Sequence, residues 1–208
     1  MPEFLEGFRA LPWHGLAGLM VLLLYALQSE IRFGAKARSH VTKSTDRGSS
    51  SAVAAASLVS VLGFVLAMKA GRSPWIPDWF RTATAPGMPL VAWIGVLLGT
   101  AGLGVRLWAV MTLRERYTRT LLTLDEHAIE RGGPYRWVRH PGYLGSLLCL
   151  NGIAMASGNL WVMAASLLAT LAAYRYRIRR EDEMLVHSLG DAYAAYQREV
   201  PALIPFIR

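Results

Sequence analysis

Of the chain's 208 residues, 53% are hydrophobic and only 17% charged, against roughly 25% charged in soluble domains. With a mean hydropathy of +0.31, this excludes an ordinary soluble domain and points to an integral membrane protein. The formal net charge of +8 suits either nucleic acid or basic cytoplasmic loops, and the distribution of basic residues decides between them.

The first apolar run covers about residues 11–31. Glu3, Glu6 and Arg9 precede it, not a basic n-region, so a cleavable signal peptide is not expected. Arg32, Lys36, Arg38, Lys43 and Arg47 follow among Ser, Thr and Gly, as in a solvated basic loop. A second apolar run spans about 51–70. After it, Pro74, Trp75, Pro77, Trp79 and Phe80 suit a loop at headgroup level. A third run, about 89–113, carries Gly95, Gly99, Gly102 and Gly104, which predict a smooth face for close helix packing.

Two shorter apolar runs, 141–156 and 160–174, are split by the turn signal Ser157-Gly158-Asn159 and predict a helical hairpin. The segment from Arg175 is polar and reads as helical to about Glu199, where Pro201 and Pro205 end regular structure. The predicted fold class is therefore an all-α polytopic membrane protein. It has about five transmembrane helices, the last two a hairpin, and a cytosolic C-terminal helix. No GxGxxG, P-loop or GxSxG is present, so a Rossmann fold is not expected. The whole chain, 1–208, reads as one membrane domain, with two N-terminal spans and loops in 1–88 and a core in 89–208.

Five spans put the termini on opposite sides. Arginines crowd the segment after the third run (Arg114, Arg116, Arg119, Arg131, Arg136, Arg139) and the tail (Arg175, Arg177, Arg179, Arg180, Arg198, Arg208). The positive-inside rule then places the tail in the cytoplasm and the N-terminus outside. This accounts for the net charge without nucleic acid. The Ala-rich composition reads as bacterial, favouring an inner membrane over endoplasmic reticulum. A single cysteine, Cys149, lies in an apolar run and reads as a packing residue. No CxxC or paired-histidine pattern suggests a metal.

Three places hold residues that could do chemistry. In Arg131–Gly145, RGGPYRWVRHPGYLG, Pro141 suits the first position of a helix and His140 its N-cap, leaving amides and a positive dipole end for an anion. The same residues also fit an ordinary interfacial helix start. In the tail, Arg177 and Glu181 are four apart and share one helical face. That face fits either a ligand site or a solvated charge run with Arg177 snorkelling. Arg106 lies within the third span, where it either snorkels or contacts substrate.

These residues resemble a known family. His127 to Ile129, Gly133, Tyr135 and Arg139-His140-Pro141-Gly142-Tyr143-Leu144-Gly145 look like the HxL…GxYxxxRHPxYxG signature of isoprenylcysteine carboxyl methyltransferases. Arg177-Ile178, Glu181-Asp182, Leu185, Leu189-Gly190, Tyr193 and Tyr196 resemble its RIxxEExxLxxxFGxxYxxY, and Val200-Pro201 with Ile204 to Ile207 resemble its ending. Phospholipid N-methyltransferases share much of this pattern. The resemblance covers about Arg106 to Arg208; the first two spans match only in being hydrophobic.

The resemblance implies S-adenosylmethionine bound on the cytosolic side without a Rossmann fold. By position, His127, Ala128, Ile129, Glu130, Tyr135, His140, Pro141, Gly142, Tyr143 and Glu181 would hold this cofactor. Arg177 and Glu181 would be catalytic, with Arg177 and Arg106 toward a lipophilic small-molecule or prenylated acceptor among the membrane lipids. Asp182 stands where the family has a second Glu, Leu189 replaces a Phe, and Glu130 stands where an apolar residue is common. Amine or thiol methylation on the same scaffold, an NADPH-dependent membrane reductase, and a non-enzymatic membrane protein are the alternatives.

Overall fold

The computed structural model describes residues 13–30, 48–70, 89–113 and 129–204. The expected basic loop after the first span, the headgroup loop around Trp75, His127, Ala128, and the closing residues 205–208 lie outside them. All regular structure among the described residues is helical: α1 (Trp13–Glu30), α2 (Ser49–Ala70), α3 (Pro89–Leu113), a short 3-10 turn (Gly133–Arg136), α4 (Pro141–Ala156), α5 (Leu160–Leu189) and α6 (Asp191–Glu199).

The helices α3 and α4 form the tightest pair, and glycine is the reason. A Cβ on Gly102 would stand 2.5 Å from the Cys149 amide nitrogen and 2.6 Å from the Gly145 carbonyl. On Gly95 it would meet Met155 and the Ala156 backbone, and Gly99 faces Cys149 and Gly152. Missing side chains let two backbones touch, which is how helices associate where no hydrophobic force acts between them. The expected smooth face is thus present at Gly95, Gly99 and Gly102, whereas Gly104 meets nothing within 4 Å. Cys149 is fully buried in this crossing with Val21, Phe64, Leu103 and Ile153.

The α4–α5 hairpin turns at Gly158, in the left-handed region at φ +66°. Asn159 then caps α5, its side-chain oxygen accepting from the Trp161 and Val162 amides at 3.0 and 3.1 Å. The apolar run 160–174 and the polar segment after it join in one helix, and the helical reading to Glu199 is interrupted only at Gly190. α5 runs without interruption for 30 residues, about 45 Å at 1.5 Å per residue. It continues because its inner face does not end with the apolar run: Ser166, Thr170, Tyr174, Arg177 and Ile178 are all buried along it. Gly190, at φ +58°, ends it and starts α6.

Two helices, Ser49–Lys69 and Leu90–Leu113, are long and apolar enough to cross a membrane, and Trp13–Gln28 and Pro141–Ala156 are shorter apolar helices. Leu23, Leu27, Leu58, Leu62, Leu97, Leu168 and other large side chains point outward uncovered. Such a surface fits hydrocarbon rather than water.

Candidate active site

Arg139, His140 and Asp182 form the centre of a polar latch. His140 is the N-cap of α4 and Pro141 its first residue, as expected. The His140 carbonyl already accepts from the Tyr143 and Leu144 amides, each at 3.0 Å, so those amides are not available to an anion. The His140 ring turns instead to α5, where Nε2 lies 3.0 Å from Asp182 Oδ1. The Arg139 guanidinium donates to Asp182 Oδ2 at 2.9 Å and to the Gln197 and Val200 carbonyls. Tyr193 on α6 donates to Asp182 Oδ1 at 2.6 Å. The chain after α6 is tied down as well, its Pro201 and Ala202 carbonyls accepting from the Arg139 and His140 amides.

Burial pushes the Asp182 carboxyl up, but His140, Tyr193 and Arg139 outweigh it and hold the group well below the usual carboxylate range. Asp182 is therefore ionised and can only accept. Burial, reinforced by the Asp182 charge, raises Tyr193, which stays a donor. Burial likewise pushes Tyr196 up to about 12, and its hydroxyl donates to the Tyr135 carbonyl at 2.6 Å.

Glu181, the neighbouring acid, points elsewhere. Its Oε2 lies 3.5 Å from His140 Nδ1 and is buried with no hydrogen-bond partner among the described residues. His140 thus lies between the two acids, Nε2 on Asp182 and Nδ1 toward Glu181. A hydrogen-bond donor from a ligand would satisfy the unbonded Glu181 oxygen. Tyr143 stacks on His140 with ring centroids 5.4 Å apart and planes within 8°.

Arg177 lies one turn before Glu181 and is only 5% exposed. It does not snorkel. Its Nε donates to the Tyr143 hydroxyl at 2.7 Å, and Nη1 donates to Ser49 and Ser50 Oγ at 3.2 and 2.8 Å. Arg106 is also engaged inside the protein. Nη1 donates to Ser146 Oγ at 2.6 Å and to the Gly142 carbonyl at 3.4 Å, and the guanidinium lies over the Tyr25 ring.

The structure thus brings His140 and Tyr143 together with Arg177 and Glu181 of α5, with Pro141 and Gly142 at the start of α4 and Arg106 of α3 reaching Gly142 and Ser146. Tyr135 is placed apart, its hydroxyl 3.5 Å from the Ala109 carbonyl. Glu130 accepts from the Gly132 amide at 2.8 Å, and Ile129 is half-buried beside it in the chain. A cavity of about 630 Å³ lies on the other side of Arg139, against Gln197, Arg198 and residues 201–204. None of the expected cofactor residues lines it. Sequence reasoning did not single out Ser49, Ser50 and Ser146. Serines at a helix start are a capping signal, but nothing in that signal names Arg177 as their partner.

A sequence model described as the isoprenylcysteine carboxyl methyltransferase (ICMT) family matches residues 93–187. The segment contains Arg106, His140, Tyr143, Arg177, Glu181 and Asp182, and leaves α1 and α2 outside. Protein-S-isoprenylcysteine O-methyltransferase of Xenopus laevis is 27% identical over 144 residues, 67% of this chain and 50% of the relative. The cobalt-zinc-cadmium resistance protein CzcN of Cupriavidus metallidurans is 34% identical over 146 residues, 70% of this chain and 60% of the relative. A solved structure of the eukaryotic intramembrane Ras methyltransferase ICMT, determined without a monobody, superposes with a TM-score of 0.60 at 26% identity, covering 72% of this chain and 52% of its own. The chain spans about half the length of these relatives, somewhat more for the resistance protein.

Proposed function

We propose that the protein is an S-adenosylmethionine-dependent methyltransferase of the membrane, forming a methyl ester on the carboxylate of a lipophilic, isoprenylcysteine-like acceptor. The observation that carries this reading is the meeting of Glu181, with its orphaned buried oxygen, and Arg177 on one face of α5, against the His140–Tyr143 stack.

The residues fit the cofactor. Its ammonium and hydroxyl groups are donors of the kind that Glu181 Oε2 lacks among the described residues, and the carboxylate suits its positive charge. Glu181, His140, Pro141, Gly142 and Tyr143 would hold it, joined by Tyr135, Ile129, Glu130 and, from outside the described residues, His127 and Ala128. When bound, S-adenosylmethionine supplies a methyl group on a sulfonium.

What remains for the chain is to place the acceptor. A carboxylate with a pKa of roughly 4 is already ionised at neutral pH, so no general base is required. It must be held in one orientation and stripped of water. Arg177 is suited to this, because a guanidinium holds a carboxylate at a fixed angle. An amine acceptor would first have to lose a proton, and Arg177 would repel its protonated form. Arg106, half-buried between Tyr25 and Ser146, extends the acceptor side into the membrane.

In this reading the chain is one domain, with 89–208 as its core. It crosses the membrane five times, the shorter helices α1 and α4 and the first half of α5 joining the two long ones. The N-terminus lies outside and the latch, α6 and the C-terminus lie in the cytosol, of a bacterial inner membrane rather than endoplasmic reticulum. The basic residues after α3 and in the tail support this orientation. The test is purified protein with methyl-labelled S-adenosylmethionine and a panel of prenylcysteines, fatty acids, lipid amines and thiols. The expected product releases labelled methanol in base. A base-stable labelled product would replace the ester with N- or S-methylation.

A further inference from the structure

The helix α2 lies outside the family segment, yet it reaches the centre of the site. Ser49 and Ser50 open this helix, after Gly48 in the left-handed region at φ +79°. Ser49 is fully buried and Ser50 partly so. Both hydroxyls accept from Arg177 Nη1. We propose that Ser49 and Ser50 are positioning residues that fix the Arg177 guanidinium for an acceptor carboxylate, so that the N-terminal half of the chain helps set acceptor recognition. This rests on the methyl-ester reading above.

The register of α2 on α5 makes the contact a built one. Farther along the same helices, Ser60 and Ser166, both fully buried, share a hydrogen bond of 2.7 Å. Ser49 and Ser60 are 11 residues apart, and so are Ser166 and Arg177. Eleven residues make about three helical turns, so both pairs fall on one seam between antiparallel helices. Val162 against Gly63 continues it. The Ser60–Ser166 pair therefore holds the register that brings the two hydroxyls to Nη1.

The geometry also defines what the hydroxyls do. Tyr143 takes Nε–H and the serines take Nη1–H, from two different helices. A planar guanidinium held at two of its nitrogens cannot rotate about its long side chain. A group that must meet a carboxylate at a set angle gains from being held in advance. The serines are neutral, so they orient Arg177 without adding a charge of their own.

The test uses the full chain in nanodiscs and compares binding of a farnesylated N-acetylcysteine with that of its carboxamide, alongside S-adenosylmethionine affinity. Wild type should prefer the carboxylate. In the Ser49→Ala/Ser50→Ala double variant that preference should fall about tenfold, the worth of a hydrogen bond to a charged group. Cofactor affinity should stay unchanged. Ser50→Thr in the Ser49→Ala background keeps one hydroxyl and should restore part of the preference. Ser51→Ala removes a hydroxyl that donates to the Gly48 carbonyl and should change nothing. A wild type with no preference for the carboxylate overturns the acceptor reading and this proposal with it. A double variant as selective as wild type overturns the positioning role alone. Parallel loss of carboxylate, carboxamide and cofactor binding would show a merely structural role and likewise overturn it.

Discussion

Two adjacent acids on α5 have opposite surroundings. Asp182 is saturated: Arg139, His140 and Tyr193 all bond it, and through them it ties α4, α5 and α6 together. Glu181, one residue earlier and rotated by about 100° around the helix, keeps a buried oxygen with no hydrogen-bond partner among the described residues and faces the His140–Tyr143 stack. A filled carboxylate holds structure; an unfilled buried one costs free energy that a ligand can recover. In the function proposed above, Asp182 therefore belongs to the architecture and Glu181 to binding.

The largest expected effect is on the filled side. Asp182→Asn removes the charge that compensates Arg139 and should destabilise the protein by about 3 kcal/mol, the lower range for breaking a buried pair. Thermal unfolding in detergent measures it. A variant as stable as wild type would dissolve the contrast between the two acids.

On the unfilled side, Glu181→Gln should leave unfolding close to wild type and weaken S-adenosylmethionine binding by about 10- to 100-fold, as expected for a lost hydrogen bond to a charged group. Next comes Arg177→Lys. A lysine keeps the charge but not the fork that reaches Tyr143 and the serines together, so turnover should fall about tenfold while cofactor affinity is retained. Full turnover would remove Arg177 from the acceptor site.

The smallest effect is in pH. Asp182 is depressed in the folded state, so the stability it contributes is fully present above its unfolded value, near pH 4, and is lost as pH falls through the lower folded value. The stability difference between wild type and Asp182→Asn should thus stay constant from neutral pH to about pH 4 and shrink only below it. A difference that already shrinks at pH 6 would place the charge elsewhere.

Much of this was legible in the sequence where one residue type has one physical use. Gly95, Gly99 and Gly102 announce a close helix contact, Pro141 a helix start, and Ser157-Gly158-Asn159 a turn. The spacing of Arg177 and Glu181 gives their shared face. The sequence was less informative where a polar residue's partner is distant in the chain. Residues 175–189 look like a separate polar segment, because hydropathy does not reveal that Arg177 will be buried and satisfied by α2. Ser49 and Ser50 look like the end of a solvated loop for the same reason. The division of labour between Glu181 and Asp182 depends on which way each faces, and helical geometry settles that only after α4 and α6 are in place.

The most direct test is a binding isotherm of labelled S-adenosylmethionine to purified Glu181→Gln protein, with its ligand-free melting temperature measured alongside. The expected result is an unchanged melting temperature and no saturation at concentrations that saturate wild type. Wild-type affinity in a normally folded variant would contradict the assignment of Glu181 as the cofactor's carboxylate.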